Sequence, residues 1–320
     1  PINFEIRLKP EPVGIVNTAT VCSDAVLGSS ALLTTTGTSV SASGYNITSI
    51  GNPSSLTASA GSPAVASNQP ANVLTDDAWT NTGTVPATIT YNVVPVSSAG
   101  CLGDPFTVTI TVNPEPVGVV PANTSVCSDV AIGAGYTLST TGGSVAATGY
   151  NITAINNGGL TASAGSPAVA NNQAANVLAD DAWTNTTNAP VNVVYTVVPV
   201  SGAGCLGDAF TVTVTINPEP VGTGIVNVPV CSDVAIGAGY TLSTTGGSVA
   251  ATGYNITAIN NGGLTASAGS PAVASNQAAN VLIDDAWTNT GSTPVNVVYT
   301  VVPVARSEER RVGKECLRLC

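Results

Sequence analysis

The chain repeats itself at the length of one domain. The linker KPEPVG at 9–14 returns as NPEPVG at 113–118 and at 217–222, which sets the period at 104 residues. The motifs GYNIT and DDAWTNT recur with it, and residues 126–170 are identical to residues 230–274. Repetition on this scale indicates an array of similar, separately packed units.

The repeats divide the chain into five segments. Each linker places two prolines around one glutamate, and proline fixes its own φ and restricts the residue before it, so we expect short, stiff junctions and a rod. The predicted segments are the last strand of a truncated preceding repeat at 1–11, sandwich repeats at 12–115, 116–219 and 220–304, the third without its last strand, and a tail foreign to the fold at 305–320.

Each unit is predicted to be an antiparallel β-sandwich. The segments at 87–96 (ATITYNVVPV) and 106–112 (FTVTITV) alternate β-branched and polar residues, and Gly and Asp between them favour a hairpin. Shorter segments separated by Gly, Pro, Asn and Ser have the spacing of sandwich strands. We therefore expect an all-β fold of tandem Ig-like sandwiches, with Trp79, Tyr91 and Phe106 as the large core residues.

The charge distribution excludes two classes of partner. The chain has a net charge of −11, and no Lys or Arg occurs between Pro10 and Ala305. An acidic surface repels phosphate backbones and anionic lipid, so we expect no binding to nucleic acid. The sequence has no run of eighteen apolar residues, so we also expect no membrane insertion.

Cysteines recur in two contexts, VCSD and GCLGD. The chain has no His and no CxxC motif, so the pattern favours disulfides over a zinc site, and hence an oxidising compartment. We predict the bonds Cys22–Cys101 and Cys127–Cys205, with Cys231 left free. Each bond closes a loop of about eighty residues and would stabilise its unit by about 4.5 kcal/mol. A bond between Cys101 and Cys127, across the linker, is the alternative.

These motifs carry a family resemblance. VCSD followed by YNVVPVSSAGCLGDPFTVTITVNPEP, in tandem, resembles the PKD-like and Ig-like repeat domains of large secreted Bacteroidota surface proteins. The resemblance extends from Pro10 to Val304. It implies an extracellular or cell-surface location, a role in adhesion or gliding, and contacts with neighbouring repeats and with an unknown surface glycan or protein.

The C-terminal residues break the pattern. RSEERRVGKEC at 306–316 resembles a translated sequencing adapter, and a native basic tail is the alternative. This segment replaces the GCLGD motif and the strand expected after it, so the third unit should expose an edge along NVVYTVVPV. We therefore assign neither Cys316 nor Cys320 as the partner of Cys231.

Catalytic chemistry has few residues available. Without His, and without Lys or Arg in its body, the chain cannot form a Ser-His-Asp, Cys-His or Ser-Lys arrangement. Paired carboxylates remain, but neighbours on a strand point to opposite faces and cannot share a substrate. We expect no enzymatic function. The pairs are Asp76 and Asp77, Asp180 and Asp181, and Asp284 and Asp285.

The same six aspartates are the candidate calcium ligands. Oxygen ligands in sandwich loops suit Ca²⁺, but the spacing of a recognisable calcium loop is missing. We expect no resident cofactor and a stability indifferent to calcium. The hypothesis is a non-catalytic structural or adhesive stalk segment of a large extracellular bacterial repeat protein, and the alternative is a glycan- or calcium-dependent binding module.

Overall fold

The first repeat is a two-sheet β-sandwich. The structure, a computed structural model, describes residues 2–225, 227, 229–305, 316 and 317. The larger sheet of repeat 1 has the order β1-β7-β6-β2-β4, and β3 pairs with β5 in the smaller one. The strands are β1 Asn17–Cys22, β2 Ala42–Gly51, β3 Leu56–Ala60, β4 Ala66–Gln69, β5 Ala78–Asn81, β6 Ala87–Ser97 and β7 Phe106–Asn113, with a 3-10 helix at Gly28–Ala31.

The second repeat has the same topology. Its larger sheet has the order β11-β9-β13-β14-β8, and β10 pairs with β12. The described residues contain no α-helix, and the predicted all-β tandem sandwich is confirmed. The strands are β8 Thr124–Cys127, β9 Ala147–Asn156, β10 Thr161–Ala164, β11 Ala170–Gln173, β12 Ala182–Thr184, β13 Val191–Ser201 and β14 Phe210–Asn217.

The third repeat is smaller in its described part. Its larger sheet has the order β17-β15-β19-β20, and β16 pairs with β18. The two-residue strand β20 pairs only with Val304 and Ala305, at the end of β19. The strands are β15 Gly253–Asn260, β16 Thr265–Ala268, β17 Ala274–Gln277, β18 Ala286–Thr288, β19 Val298–Ala305 and β20 Cys316–Leu317, with a 3-10 helix at Ala238–Tyr240.

The core of repeat 1 follows from the alternation in its two longest strands. In β7, Phe106, Val108, Ile110 and Val112 point inward and are at most 6% exposed, while the threonines between them face outward. Each such side chain removed from water contributes about 1.5–3 kcal/mol. Trp79 and the other large residues predicted for the core join the same cluster. Repeat 2 has an equivalent, separate cluster.

One strand pairing was not foreseen. The first strand of repeat 1 and that of repeat 2 each run parallel to the last strand of the same repeat: Asn17 of β1 lies opposite Val108 of β7, and Cys22 lies opposite Asn113. This register brings Cys22 to the end of β7 from which the chain enters the linker. Cys22 therefore lies at the boundary with repeat 2.

Candidate functional site: the junction of repeats 1 and 2

A disulfide joins the first two repeats. Cys22, at the end of β1, is bonded to Cys205 in the β13–β14 hairpin of repeat 2, with 5.4 Å between the two Cα atoms and a sequence separation of 183 residues. Cys205 is fully buried. The covalent bond therefore crosses the junction and does not close a loop within one sandwich.

This bond shows that both predicted disulfides, Cys22–Cys101 and Cys127–Cys205, are wrong. The parallel register puts Cys22 opposite Asn113, whereas Cys101 lies in the hairpin before Phe106, at the other end of β7. Eight residues of strand span roughly 25 Å, far beyond the Cα separation that a disulfide allows. Among the described residues Cys101 and Cys231 are free, and Cys127 is disulfide-bonded.

The linker between the two repeats is packed. Pro114 and Pro116 are buried, and Glu115 is half-buried between them. A side chain at Gly207, in the hairpin that carries Cys205, would lie 1.8 Å from the carbonyl oxygen of Pro116. Glycine is therefore required where the hairpin meets the linker. Backbone packing and the disulfide act at the same junction.

Three carboxyl groups from different parts of the chain influence one another at this junction. Burial raises the pKa of Glu115, and the negative charges of Asp24 and Asp208 raise it further. Burial also acts to raise the pKa of Asp24, but hydrogen bonds, that of Thr80 foremost, outweigh it and leave this pKa lowered. Asp24 belongs to repeat 1, Glu115 to the linker and Asp208 to repeat 2. Charged side chains of repeat 1, the linker and repeat 2 thus interact electrostatically at the junction.

The loop that carries Cys22 is held by side-chain hydrogen bonds to β5. The hydroxyl oxygen of Ser23 accepts a hydrogen bond from the backbone N–H of Asn81 at 3.0 Å, and the hydroxyl of Thr80 donates one to Asp24. The Asn81 side chain in turn donates to the carbonyl of Val112 at 2.8 Å. The VCSD motif therefore fixes the end of β1 against β5 and β7.

The paired aspartates are separated by the fold. Asp76 is exposed, whereas Asp77 is buried and accepts a hydrogen bond of 2.8 Å from the hydroxyl of Tyr91. The same hydroxyl accepts a bond of 2.8 Å from Nε1 of Trp79. Burial raises the pKa of Asp77 to about 6, with a smaller contribution from the charge of Asp76. This hydrogen-bonded triad is a feature of the sandwich core.

The triad recurs in the other repeats. Tyr195 donates to Asp181 at 2.9 Å, and Tyr299 donates to Asp285 at 2.7 Å. Asp180 and Asp284, like Asp76, are exposed. In the part of the chain that the structure describes, no three acidic, Cys or His side chains form a group suited to a metal ion. Sequence reasoning missed this triad, although the recurrence of Tyr twelve residues after each Trp was visible.

These features define a class: tandem β-sandwiches whose neighbours are joined by a packed linker and a disulfide. The model of the PKD-like domain family matches residues 19–116 and 124–220. Because these matches cover more than half of the chain, the chain belongs to the PKD-like domain family. Two such domains in tandem make it a structural or adhesive extracellular module.

Solved structures with a similar fold come from several kinds of protein. Drosophila N-cadherin EC1-4 is 11% identical, with a TM-score of 0.28 over 65% of this chain and 49% of that one. This chain thus spans about half the length of that fragment. Chicken CNTN1 FN1-FN3 is 15% identical, with a TM-score of 0.22 over 85% and 86% of the two chains. The sialic acid binding region of a Streptococcus sanguinis SK1 adhesin is 12% identical, with a TM-score of 0.22 over 66% and 80%.

No match was found among curated proteins. Within the described ranges, no helix has the length and apolar character needed to cross a membrane.

Proposed function

We propose that this chain is a stiff stalk segment of an extracellular repeat protein. The observation that carries the proposal is the Cys22–Cys205 bond between neighbouring repeats. Two sandwiches joined by a linker alone can rotate about it, whereas a second covalent connection restricts that rotation. A bond that fixes the orientation of neighbours suits a spacer that holds other parts of a protein at a distance.

Two further observations support this function. The linker prolines Pro114 and Pro116 are buried. Packing therefore adds to the restriction that their fixed φ angles place on movement of the linker. A disulfide persists in oxidising surroundings, which supports secretion to the cell surface or the medium. The adhesive part of the role requires an additional recognition surface, and the stalk would present that surface to its partner.

Small-angle scattering tests the stalk function. We expect the oxidised chain to give a narrow distribution of distances between repeats 1 and 2, and the double variant Cys22→Ser, Cys205→Ser to give a broader one. Cys101→Ser is the matched control, because Cys101 forms no disulfide and its loss leaves the junction intact. Equal distributions for the double variant and the unmodified chain would refute a role of the bond in stiffness.

A depression in repeat 2 supports the glycan form of the second candidate, the glycan- or calcium-dependent binding module. It has a volume of about 600 Å³ and is lined by Gly133, Gln173, Asn176 and Asp180 among small apolar residues. We expect millimolar Ca²⁺ to leave the Tm unchanged. A rise of several degrees that a chelator reverses, or retention of the chain on a glycan array that Asn176→Ala abolishes, would support the binding module instead.

A further inference from the structure

Repeat 2 contains an inner cavity beside the depression described above. Its volume is about 120 Å³. This gives room for a group of about four non-hydrogen atoms, at the roughly 30 Å³ that one water molecule occupies in the liquid. Gly165, Gln173 and Val177 line both spaces, so the two lie side by side and share one wall. The depression and the inner cavity can therefore hold two parts of one molecule.

The inner cavity is largely apolar, with a buried carboxyl group in its wall. Its apolar lining includes Ile152 and Ile155 of β9, and Leu178 from the segment before β12. Asp181, which is 2% exposed, and Tyr195 line it as well. A charged carboxylate is costly to bury unless an opposite charge or hydrogen-bond donors compensate it. The cavity therefore favours a ligand with an apolar body and a positively charged end.

The hydrogen bonds of these polar groups decide between a donor and an acceptor. The hydroxyl of Tyr195 donates to one oxygen of Asp181 and accepts a bond of 2.9 Å from Nε1 of Trp183. Each of these two donors has a single hydrogen, which is already used. A carbonyl group in the cavity would gain neither of them, whereas an N–H group can donate to the carboxylate of Asp181, which has two acceptor oxygens. The contacts thus favour an ammonium group over an acetamide.

The outer depression adds further acceptors. Gln173 lies at the shared wall, and the exposed residues Asn176 and Asp180 lie in the depression alone. Asp180 and Asp181 are neighbours, yet Asp180 lines the depression and Asp181 lines the inner cavity. Between residues 10 and 305 the chain has no Lys or Arg that could neutralise them. The two spaces together are complementary to a cation that carries further hydrogen-bond donors.

We propose that the inner cavity and the depression form one binding site for an aliphatic ammonium group. The alkyl chain lies against Ile152 and Leu178, and the ammonium donates to Asp181. Donor groups on the remainder of the molecule bind Asn176 and Asp180 in the depression. The site lies within repeat 2, apart from the disulfide, so the scattering test of the stalk is independent of it.

The sequences of the three repeats assign this site to repeat 2. Ala179 lines the depression, and the equivalent residues are Thr75 in repeat 1 and Ile283 in repeat 3. Ala174 also lines it, where repeat 1 has Pro70. A larger side chain at either position takes up part of the volume. Because repeat 3 carries isoleucine at this position, Ala179→Ile is a variant that the fold accommodates.

Isothermal titration calorimetry of the full chain with butylamine, butanol and putrescine tests the site. The titrations are made at about pH 8, where Asp181 is ionised because burial raises its pKa only to about 6. Butylamine and butanol have the same chain and differ in charge, so we expect butylamine to bind and butanol not to bind. Putrescine adds a second ammonium near the exposed Asp180 and should bind up to about fivefold more tightly than butylamine.

A lysine with both backbone ends blocked carries the same ammonium on a peptide and distinguishes two sources of the ligand. Tighter binding of blocked lysine than of putrescine would assign the ammonium to a lysine of a protein, and the reverse order would assign it to a free amine. Either order supports the site.

Three variants locate the ammonium. Asp181→Asn keeps an acceptor for Tyr195 and removes the charge, so it should weaken butylamine binding about 30-fold or more. Asp77→Asn, the same change in repeat 1, is the matched control and should bind butylamine like the unmodified chain. Ala179→Ile narrows the depression and should remove the advantage of putrescine over butylamine.

Binding should also weaken on acidification. Burial raises the pKa of Asp181 to about 6 against the hydrogen bond from Tyr195, and the charge of Asp180 adds to the increase. Tyr195 keeps its proton because burial raises its pKa as well, and an alkylamine stays charged throughout this range. Below about pH 6 the affinity for butylamine should therefore fall about tenfold per pH unit, and Asp181→Asn should remove this dependence.

Four results would overturn the proposal. They are equal affinity for butylamine and butanol, equal effects of Asp181→Asn and Asp77→Asn, no binding of putrescine by calorimetry or NMR titration, and displacement of butylamine by N-acetylglucosamine. The last result would assign the site to a neutral sugar.

Discussion

Repeats 2 and 3 contain an identical stretch of sequence that has two different structures. Residues 126–170 and 230–274 agree letter for letter. Val126 and Cys127 belong to β8, whereas Val230 and Cys231 are not in a strand. Ser128 is buried, and its counterpart Ser232 is exposed. Local sequence therefore does not decide whether this segment forms a strand.

The difference lies in the partner strand. Strand β8 is parallel to β14, with Val126 opposite Ile216. The described part of repeat 3 contains no equivalent of β14 along most of β19. A parallel edge strand of four residues forms only when its neighbour supplies the hydrogen bonds. The last strand of each repeat thus organises the first strand of the same repeat.

A charge in β14 should convert repeat 2 into a copy of repeat 3. Val214 is fully buried, so Val214→Asp should cost about 4 kcal/mol or more and detach β14 from the core. Hydrogen exchange should then show loss of amide protection at Thr124–Cys127. Thr211→Asp, on the exposed face of the same strand, should preserve that protection. Persistent protection of β8 in Val214→Asp would contradict the dependence of the first strand on the last.

Removal of one phenol oxygen should distinguish repeat 1 from repeat 3. Tyr91 is fully buried, so Tyr91→Phe leaves Asp77 and Nε1 of Trp79 without their partner and should cost about 2–3 kcal/mol. Tyr299 is only half-buried, so water can replace its hydroxyl and Tyr299→Phe should cost less. Hydrogen exchange measured separately for each repeat gives the decrease in the free energy of unfolding that each variant causes. Equal losses would show that the core of repeat 3 is as dry as that of repeat 1.

Acidification should stabilise repeats 1 and 2. The pKa of Asp77 is about 6 in the folded state and 3.8 as its ordinary value, so the folded chain binds more protons between these pH values. Stability therefore falls as pH rises through this window, by a few kcal/mol at most. In the thermal unfolding of repeat 1, Asp77→Asn should remove this pH dependence and Asp76→Asn should retain it. A pH profile unchanged in Asp77→Asn would exclude Asp77 as its source.

The antiparallel architecture could be predicted because its signals are local. Alternation in the segments that became β6 and β7 predicted both strands and their hairpin, and the large core residues came from the same pattern. Period-two alternation indicates which face of a strand is buried, and it can be recognised without knowing which strands lie beside it.

The disulfide pairing could not be predicted because it depends on a non-local contact. Two cysteines in one repeat suggested a bond within that repeat, and the sequence gives no sign that β1 is parallel to β7. That register alone moves Cys22 to the junction and separates it from Cys101. The burial of Asp77 was missed for a related reason: the acceptor precedes β5, and its phenol donor Tyr91 lies in β6.

The bond across the junction also changes how the chain would carry a mechanical load. When the two termini are pulled apart, the force passes from Cys22 through the sulfur atoms directly to Cys205. The stretch between them, across a sequence separation of 183 residues, contains most of the first two sandwiches and is bypassed. Reduction would return that stretch to the loaded path and release roughly 600 Å of additional extended chain. Redox conditions would therefore set the maximum extension of this part of the molecule.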